Sequence, residues 1–220
     1  MAFYNKLGVV SDHIISHVSN LRPSIAQTPP LMVGIQGPQG SGKTYITKQL
    51  ETILTSPPHN LRVAVLSIDD LYLPYTGLRA LFDLDNPLLK GRGLPGTHDV
   101  ELATRILDSL HRINGENASS VEIPFFDKSL NEGFGDRAAS SSTIKGPIDV
   151  VILEGWFVGF YPLAGETRLQ DKWAREWATE VDRLELGYQN IQFQHIVHVN
   201  EKLKGYVELW DKLSVFVQVR

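Results

Sequence analysis

One stretch constrains this chain more than any other: Gly37-Pro38-Gln39-Gly40-Ser41-Gly42-Lys43-Thr44. It fits the pattern G-x-x-x-x-G-K-[ST], which has meaning only with a strand before it and a helix after it. Both flanks comply. LMVGIQ at 31–36 is a short apolar run of the kind buried on both faces of a sheet. From 43 to 54, Ile46, Leu50, Ile53 and Leu54 recur at helical spacing until Pro57 and Pro58 end the helix. The glycines let the backbone wrap a phosphate with its N–H groups inward. The helix start adds the positive end of its dipole. Lys43 is then placed to reach β- and γ-phosphates, and the Thr44 hydroxyl to bind Mg²⁺. All eight residues are candidate nucleotide ligands.

The rest of the chain alternates strands and helices. An amphipathic helix is expected over 2–21, through Phe3, Leu7, Val10, Ile14, Val18 and Leu21. A stiff proline-bearing connection at 22–30 follows. Further strands are expected at 62–68, 148–153 and 214–219. Helices are expected at 99–113 and 200–213, and the serine-rich 138–143 stretch reads as a loop. This alternation predicts an α/β fold, a three-layer arrangement with a mostly parallel sheet and helices on both faces. The 220 residues are read as one domain, with 1–30 as helix and linker and 31–220 as core. That length, with 42% hydrophobic residues, can bury a core without staples.

Composition excludes several function classes. There is no cysteine, hence no thiolate nucleophile, thiolate metal site or disulfide framework. The net charge of −4 argues against a broad electrostatic grip on nucleic acid. No apolar run approaches the ~18–20 residues of a membrane span. MAFYNKLGVVSDH lacks the basic-then-apolar layout of a signal peptide. A cytoplasmic protein is expected, with the nucleus also open.

Ligands of parallel sheets bind beyond the carboxyl ends of the strands, so the residues there carry the functional reading. After the 62–68 strand come Asp69 and Asp70. One could take the proton of an acceptor hydroxyl, and the other could orient water around Mg²⁺ or cap the next segment. After the 148–153 strand comes Glu154, placed to hold Mg²⁺ directly or through water. Asp149 lies too far back in that strand to serve. Two glycine-bearing loops, 91–99 and 124–137, gather Arg92, His98, Asp99, Lys128 and Arg137. Their cations suit an anionic acceptor or the charge developing on a transferred phosphoryl group. A bland reading stands beside this one, with Asp99 an N-cap, His98 a loop residue, and Lys128 and Arg137 solvated. Trp173, Trp177 and Trp210 read as core or interface. His13, His17, His59, His111, His195 and His198 show no metal spacing; His195 and His198 are expected to pack or to sit at a strand edge.

In order along the chain, GPQGSGKT, SIDDLY, GRGLPGTHD, PFFDKSLNEGFGDR, ILEGWFVGF and VNEKLKGYVELWDK resemble the glycerate-kinase-like P-loop kinases. That group includes plant-type D-glycerate 3-kinase and fungal ATP-dependent relatives. Its wider branch holds uridine kinase, phosphoribulokinase and pantothenate kinase. The resemblance covers about residue 31 to the end. It implies a small-molecule kinase using ATP and Mg²⁺, with Lys43 and Thr44 on phosphate and metal. Asp69 matches the candidate base, with Asp70 its neighbour, and Glu154 matches the acid after the strand. The 98–99 and 128–137 segments match regions facing the acceptor. The branch normally carries an arginine-bearing lid after the strand matching 214–219, whereas this chain stops at Arg220. Arg168, Arg175 and Arg183 lie in a helix-like stretch outside the motifs.

The reading is therefore a kinase that moves the γ-phosphate of ATP to a hydroxyl of a small molecule, D-glycerate being the leading case. Asp69 and Lys43 carry the chemistry, and no nucleic-acid or membrane partner is expected. The alternative is a nucleotide-binding regulator or a lid-less fragment with little kinase activity. A hydrolytic NTPase switch would need a water-positioning residue that the sequence does not offer.

Overall fold

A computed structural model describes residues 2–21, 28–116, 120–185 and 190–219. Helix α1 (Ala2–Leu21) precedes strand β1 (Leu31–Gln36), helix α2 (Lys43–Thr55), strand β2 (Val63–Ser67) and short helix α3 (Tyr75–Ala80). Helix α4 (Val100–His111), strands β3 (Val121–Asp127), β4 (Asp136–Ile144) and β5 (Val150–Gly155) come next. Helices α5 (Glu166–Lys172), α6 (Ala178–Arg183), α7 (Phe193–Leu203) and α8 (Val207–Trp210) lead to strand β6 (Val215–Gln218). The expected 22–30 connection falls partly outside the described residues.

Four strands form a parallel sheet in the order β2-β5-β1-β6. The central pair, β1 and β5, is buried along its whole length, which is why its sequence is apolar without alternation. Successive side chains still go to opposite faces. Leu31, Val33, Ile35, Val150 and Ile152 meet Leu7, Ile14 and Val18 of α1 and Ile46, Leu50 and Leu54 of α2. Met32, Val151 and Leu153 meet Ala103, Ile106, Leu107 and Leu110 of α4, with Tyr206, Leu209 and Trp210. Helices thus cover both faces, as the alternation predicts, and α1 belongs to the same core as the nucleotide motif.

Several boundaries and one element differ from expectation. The 148–153 strand is displaced two residues onward. Asp149 stays just outside it, its carboxylate bound to the Arg62 N–H (2.7 Å) and guanidinium (2.8 Å), so the sheet's entry edge is tied there. The 200–213 helix begins at Phe193, behind a capping box of Gln192 and His195, and breaks at a 3-10 turn, Lys204–Tyr206, that contains Gly205. His195 is therefore a buried capping residue and His198 a helix residue, neither at a strand edge.

The serine-rich 138–143 stretch is no loop. It is the middle of β4, paired antiparallel with β3 in a separate two-stranded sheet, with an irregularity between Pro124 and Phe126. Its exposed face carries no apolar alternation. Instead, Glu122 accepts hydrogen bonds from the hydroxyls of Ser141 (2.7 Å) and Thr143 (2.6 Å) across the strands.

Candidate active site

The site lies at the carboxyl ends of β1, β2 and β5, brought level by the sheet register. Ile35 pairs with Glu154 and Ser67 with Glu154, so the phosphate loop, the Asp69 turn and the Glu154 strand end share one rim. Gly40 (φ 78°) and Gly42 (φ 81°) take the left-handed conformation that lets the loop curl and hand over to α2. The Lys43 ammonium rests on the Pro38 carbonyl at 3.0 Å, folded over the loop it serves.

Two cavities open on this rim. One, of about 260 Å³, is lined by Gly40, Lys43, Thr44, Ser67, Glu154 and Trp156 among others. The second, about 360 Å³, is lined by Tyr72, Arg92, Gly133 and Phe134 with the 91–93 backbone. Gln39, Asp69 and Lys128 belong to both, forming their common wall. The nucleotide side and the loop side predicted from sequence therefore meet at Asp69.

Asp69 stands on a 3-10 turn, Ile68–Leu71, whose start is capped by the Ser67 hydroxyl. Its Oδ1 accepts from the Tyr72 hydroxyl at 2.9 Å and its Oδ2 from the Lys128 ammonium at 2.6 Å. Burial opposes ionisation here, but Lys128 and Tyr72 outweigh it and hold the carboxyl below the usual range. Glu154 behaves oppositely. Burial pushes its carboxyl up, against partial relief from the Ser67 hydroxyl and the Lys43 charge.

Of the acceptor-side candidates, Arg92 and Lys128 face the second cavity. Arg92 also donates to the carbonyls of Gly133 (2.6 Å) and Phe134 (2.8 Å), riveting the 91–99 loop to the β3–β4 turn. His98, Asp99 and Arg137 line neither cavity. Asp99 caps α4 through the Leu102 N–H and pairs with Arg137 at 2.8 Å, which in turn donates to the Tyr72 carbonyl. His98 is buried against the Tyr72 ring, with centroids 4.3 Å apart, and its Nδ1 is 3.0 Å from the Tyr206 hydroxyl. These three build the wall behind Asp69.

Asp70 lines neither cavity; its carboxylate accepts the Phe126 N–H at 3.1 Å and tethers β3 to the turn. Arg175 and Arg183 are taken up by Asp171 and Glu180 of their own helical stretch. Tyr72 lies in the SIDDLY run, where the sequence assigns it no role. Its signal was the three-residue spacing from Asp69, since residues i and i+3 of a 3-10 turn eclipse.

The donor set suits a hard cation. A threonine hydroxyl and one buried carboxylate share the smaller cavity, and Mg²⁺ keeps several waters while taking one or two protein oxygens. Among the described residues there is no cluster of three or more acidic, His or Cys groups that would hold a metal by itself. Among the described residues no helix is long and apolar enough to cross a membrane.

Comparison with known proteins agrees with this geometry. The chain is 32% identical over 206 residues to the chloroplastic D-glycerate 3-kinase of Arabidopsis thaliana, covering 91% of this chain and 40% of that protein. It is 35% identical over 195 residues to the uncharacterized kinase mug58 of Schizosaccharomyces pombe, covering 86% and 64%. A solved structure, D-glycerate 3-kinase from Cryptococcus neoformans, superposes with a TM-score of 0.84 at 35% identity, over 97% of this chain and 72% of that one. The chain spans 40% to 64% of the length of these curated relatives. No family model matches it.

Proposed function

This chain belongs to the glycerate-kinase-like family of P-loop kinases, and on that footing we propose that it transfers the γ-phosphate of ATP to a hydroxyl of a small anionic alcohol, with D-glycerate the first acceptor to test. The observation that carries the reading is the common wall. Asp69 faces both the cavity lined by Lys43 and Thr44 and the cavity lined by Arg92.

The smaller cavity receives the triphosphate end of ATP, cradled by the N–H groups of residues 37–44. Lys43 exchanges the Pro38 carbonyl for the β- and γ-phosphates. Thr44 and Glu154 are the residues that would hold Mg²⁺, which when bound neutralises charge on the phosphates. The larger cavity admits a small acceptor, and Arg92 and Lys128 favour one that carries an anion. Asp69 orients the acceptor hydroxyl and takes its proton as that oxygen attacks the γ-phosphorus in line. Tyr72 holds the carboxylate in place from behind.

The test is ADP release and product formation across hydroxy acids, nucleosides and sugars. We expect Lys43→Ala to abolish ATP binding and Asp69→Asn to lower transfer by about 10²–10⁴-fold with ATP binding retained. Retained turnover in the first variant, or near-normal transfer in the second, defeats the assignment. ATP binding with no acceptor-stimulated ADP release would favour a nucleotide-binding regulator.

A further inference from the structure

Both oxygens of Asp69 are already hydrogen-bonded, Oδ1 by Tyr72 and Oδ2 by Lys128. The two contacts differ in kind. Tyr72 is buried and stacked on His98, which is set in turn by the Tyr206 hydroxyl and, behind it, by the Gly96 N–H. That side is fixed. Lys128 follows β3 by one residue, sits on a flexible four-carbon stem, and is 52% exposed against 29% for Asp69. An ion pair so open to water is weak and readily exchanged. Lys128 also borders the loop-side cavity, within the region where an acceptor would lie.

We propose that Lys128 is a specificity gate: it covers Oδ2 of Asp69 until the acceptor's own anionic group draws its ammonium away and uncovers the oxygen that takes the hydroxyl proton. The proposal rests on the kinase reading and deepens it by requiring an anion close to the reacting hydroxyl. A neutral alcohol that merely fits the cavity leaves the pair intact. Water, carrying no anion, also finds the base covered, so ATP is spared hydrolysis before the acceptor arrives. The transfer itself balances simply. The acceptor hydroxyl gives its proton to Asp69, its oxygen bonds to the γ-phosphorus, and the bond from that phosphorus to the β–γ bridging oxygen breaks to leave ADP.

Acylation footprinting with limiting acetic anhydride, read at Lys128 by mass spectrometry with the other lysines as internal reference, tests the gate without needing turnover. In Asp69→Asn, Lys128 should react on the order of threefold faster than in the unsubstituted chain. D-glycerate should restore protection in that variant and glycerol should not. Equal reactivity in the two chains, or equal protection by glycerol, overturns the gate. Lys128→Met offers a second handle: ADP release without acceptor should rise relative to release with D-glycerate, on the order of tenfold. An unchanged ratio in an active enzyme sinks the proposal while the kinase reading stands. A footprint that responds as described in a chain forming no phosphorylated product leaves an anion contact at Lys128 but overturns the gate together with the kinase reading.

Discussion

His98 shows how one buried side chain shapes both the site and its acid limit. Burial lowers its pKa to about 3 from an ordinary 6.5, and its Nε2 has no hydrogen-bond partner among the described residues. Between those two values the unfolded chain carries a proton that the folded chain refuses, so stability rises with pH across this window and is complete above it. The slope is about 1.4 kcal/mol per pH unit for one proton. Thermal unfolding scanned over pH should therefore show a steeper acid loss in the unsubstituted chain than in His98→Asn, whose side chain does not titrate. Parallel curves would mean that the imidazole is not buried neutral in solution. The sequence offers His98, Asp99 and Arg137 as acceptor contacts, with Asp99 as an N-cap beside that reading, because their charge and loop position are visible in one dimension. In the structure His98 stacks on Tyr72, Asp99 caps its own helix, and the pairing of Arg137 with Asp99 and of Tyr206 with His98 depends on partners 38 and 108 residues away.

At the level of elements, the sheet was legible and the hairpin was not. β1 and β5 advertise themselves as unbroken apolar runs because both their faces are buried. β4 is largely exposed and its pairing is written in hydroxyls that bind Glu122, a pattern shared with any polar loop. Pro124 inside β3 further disguised it, although it sits where the register is irregular. The hairpin's tight end depends on Gly135, at φ 79°, where an added Cβ would lie 2.3 Å from the Phe126 ring. Gly135→Ala should destabilise the chain by about 2–3 kcal/mol and push Phe126, and with it the Asp70 tether, out of place. Urea unfolding measures the first effect, and an acceptor KM raised more than the ATP KM reports the second. A neutral substitution would refute the packing described for this turn.

For the whole molecule, the P-loop joins the two apolar cores, since α2 and β1 pack with α1 on one face while Met32 reaches the other. Ligand binding should then stabilise the entire fold. At 100 times its Kd, ATP·Mg²⁺ contributes about 2.7 kcal/mol, or roughly 5–10 °C in Tm for a chain of this size. Differential scanning fluorimetry should show that shift and its disappearance in Lys43→Ala; a shift that survives the substitution would place the nucleotide elsewhere.

The β3–β4 hairpin is a sheet of its own: Val121 and Ile123 root it in the core beside α4, and side chains join its other end to the rim, Asp70 to the Phe126 N–H, Asp136 to the Tyr75 N–H, and Arg92 to the turn carbonyls. The phosphate cradle, by contrast, is woven into the central strands. On the proposed reading, what donates the phosphoryl group and what receives it are therefore inherited on separate parts of the molecule. Substitutions in the 128–135 turn can retune the recipient while the donor machinery stays intact, so divergence among such enzymes has an inexpensive route: exchange the clasp and keep the cradle.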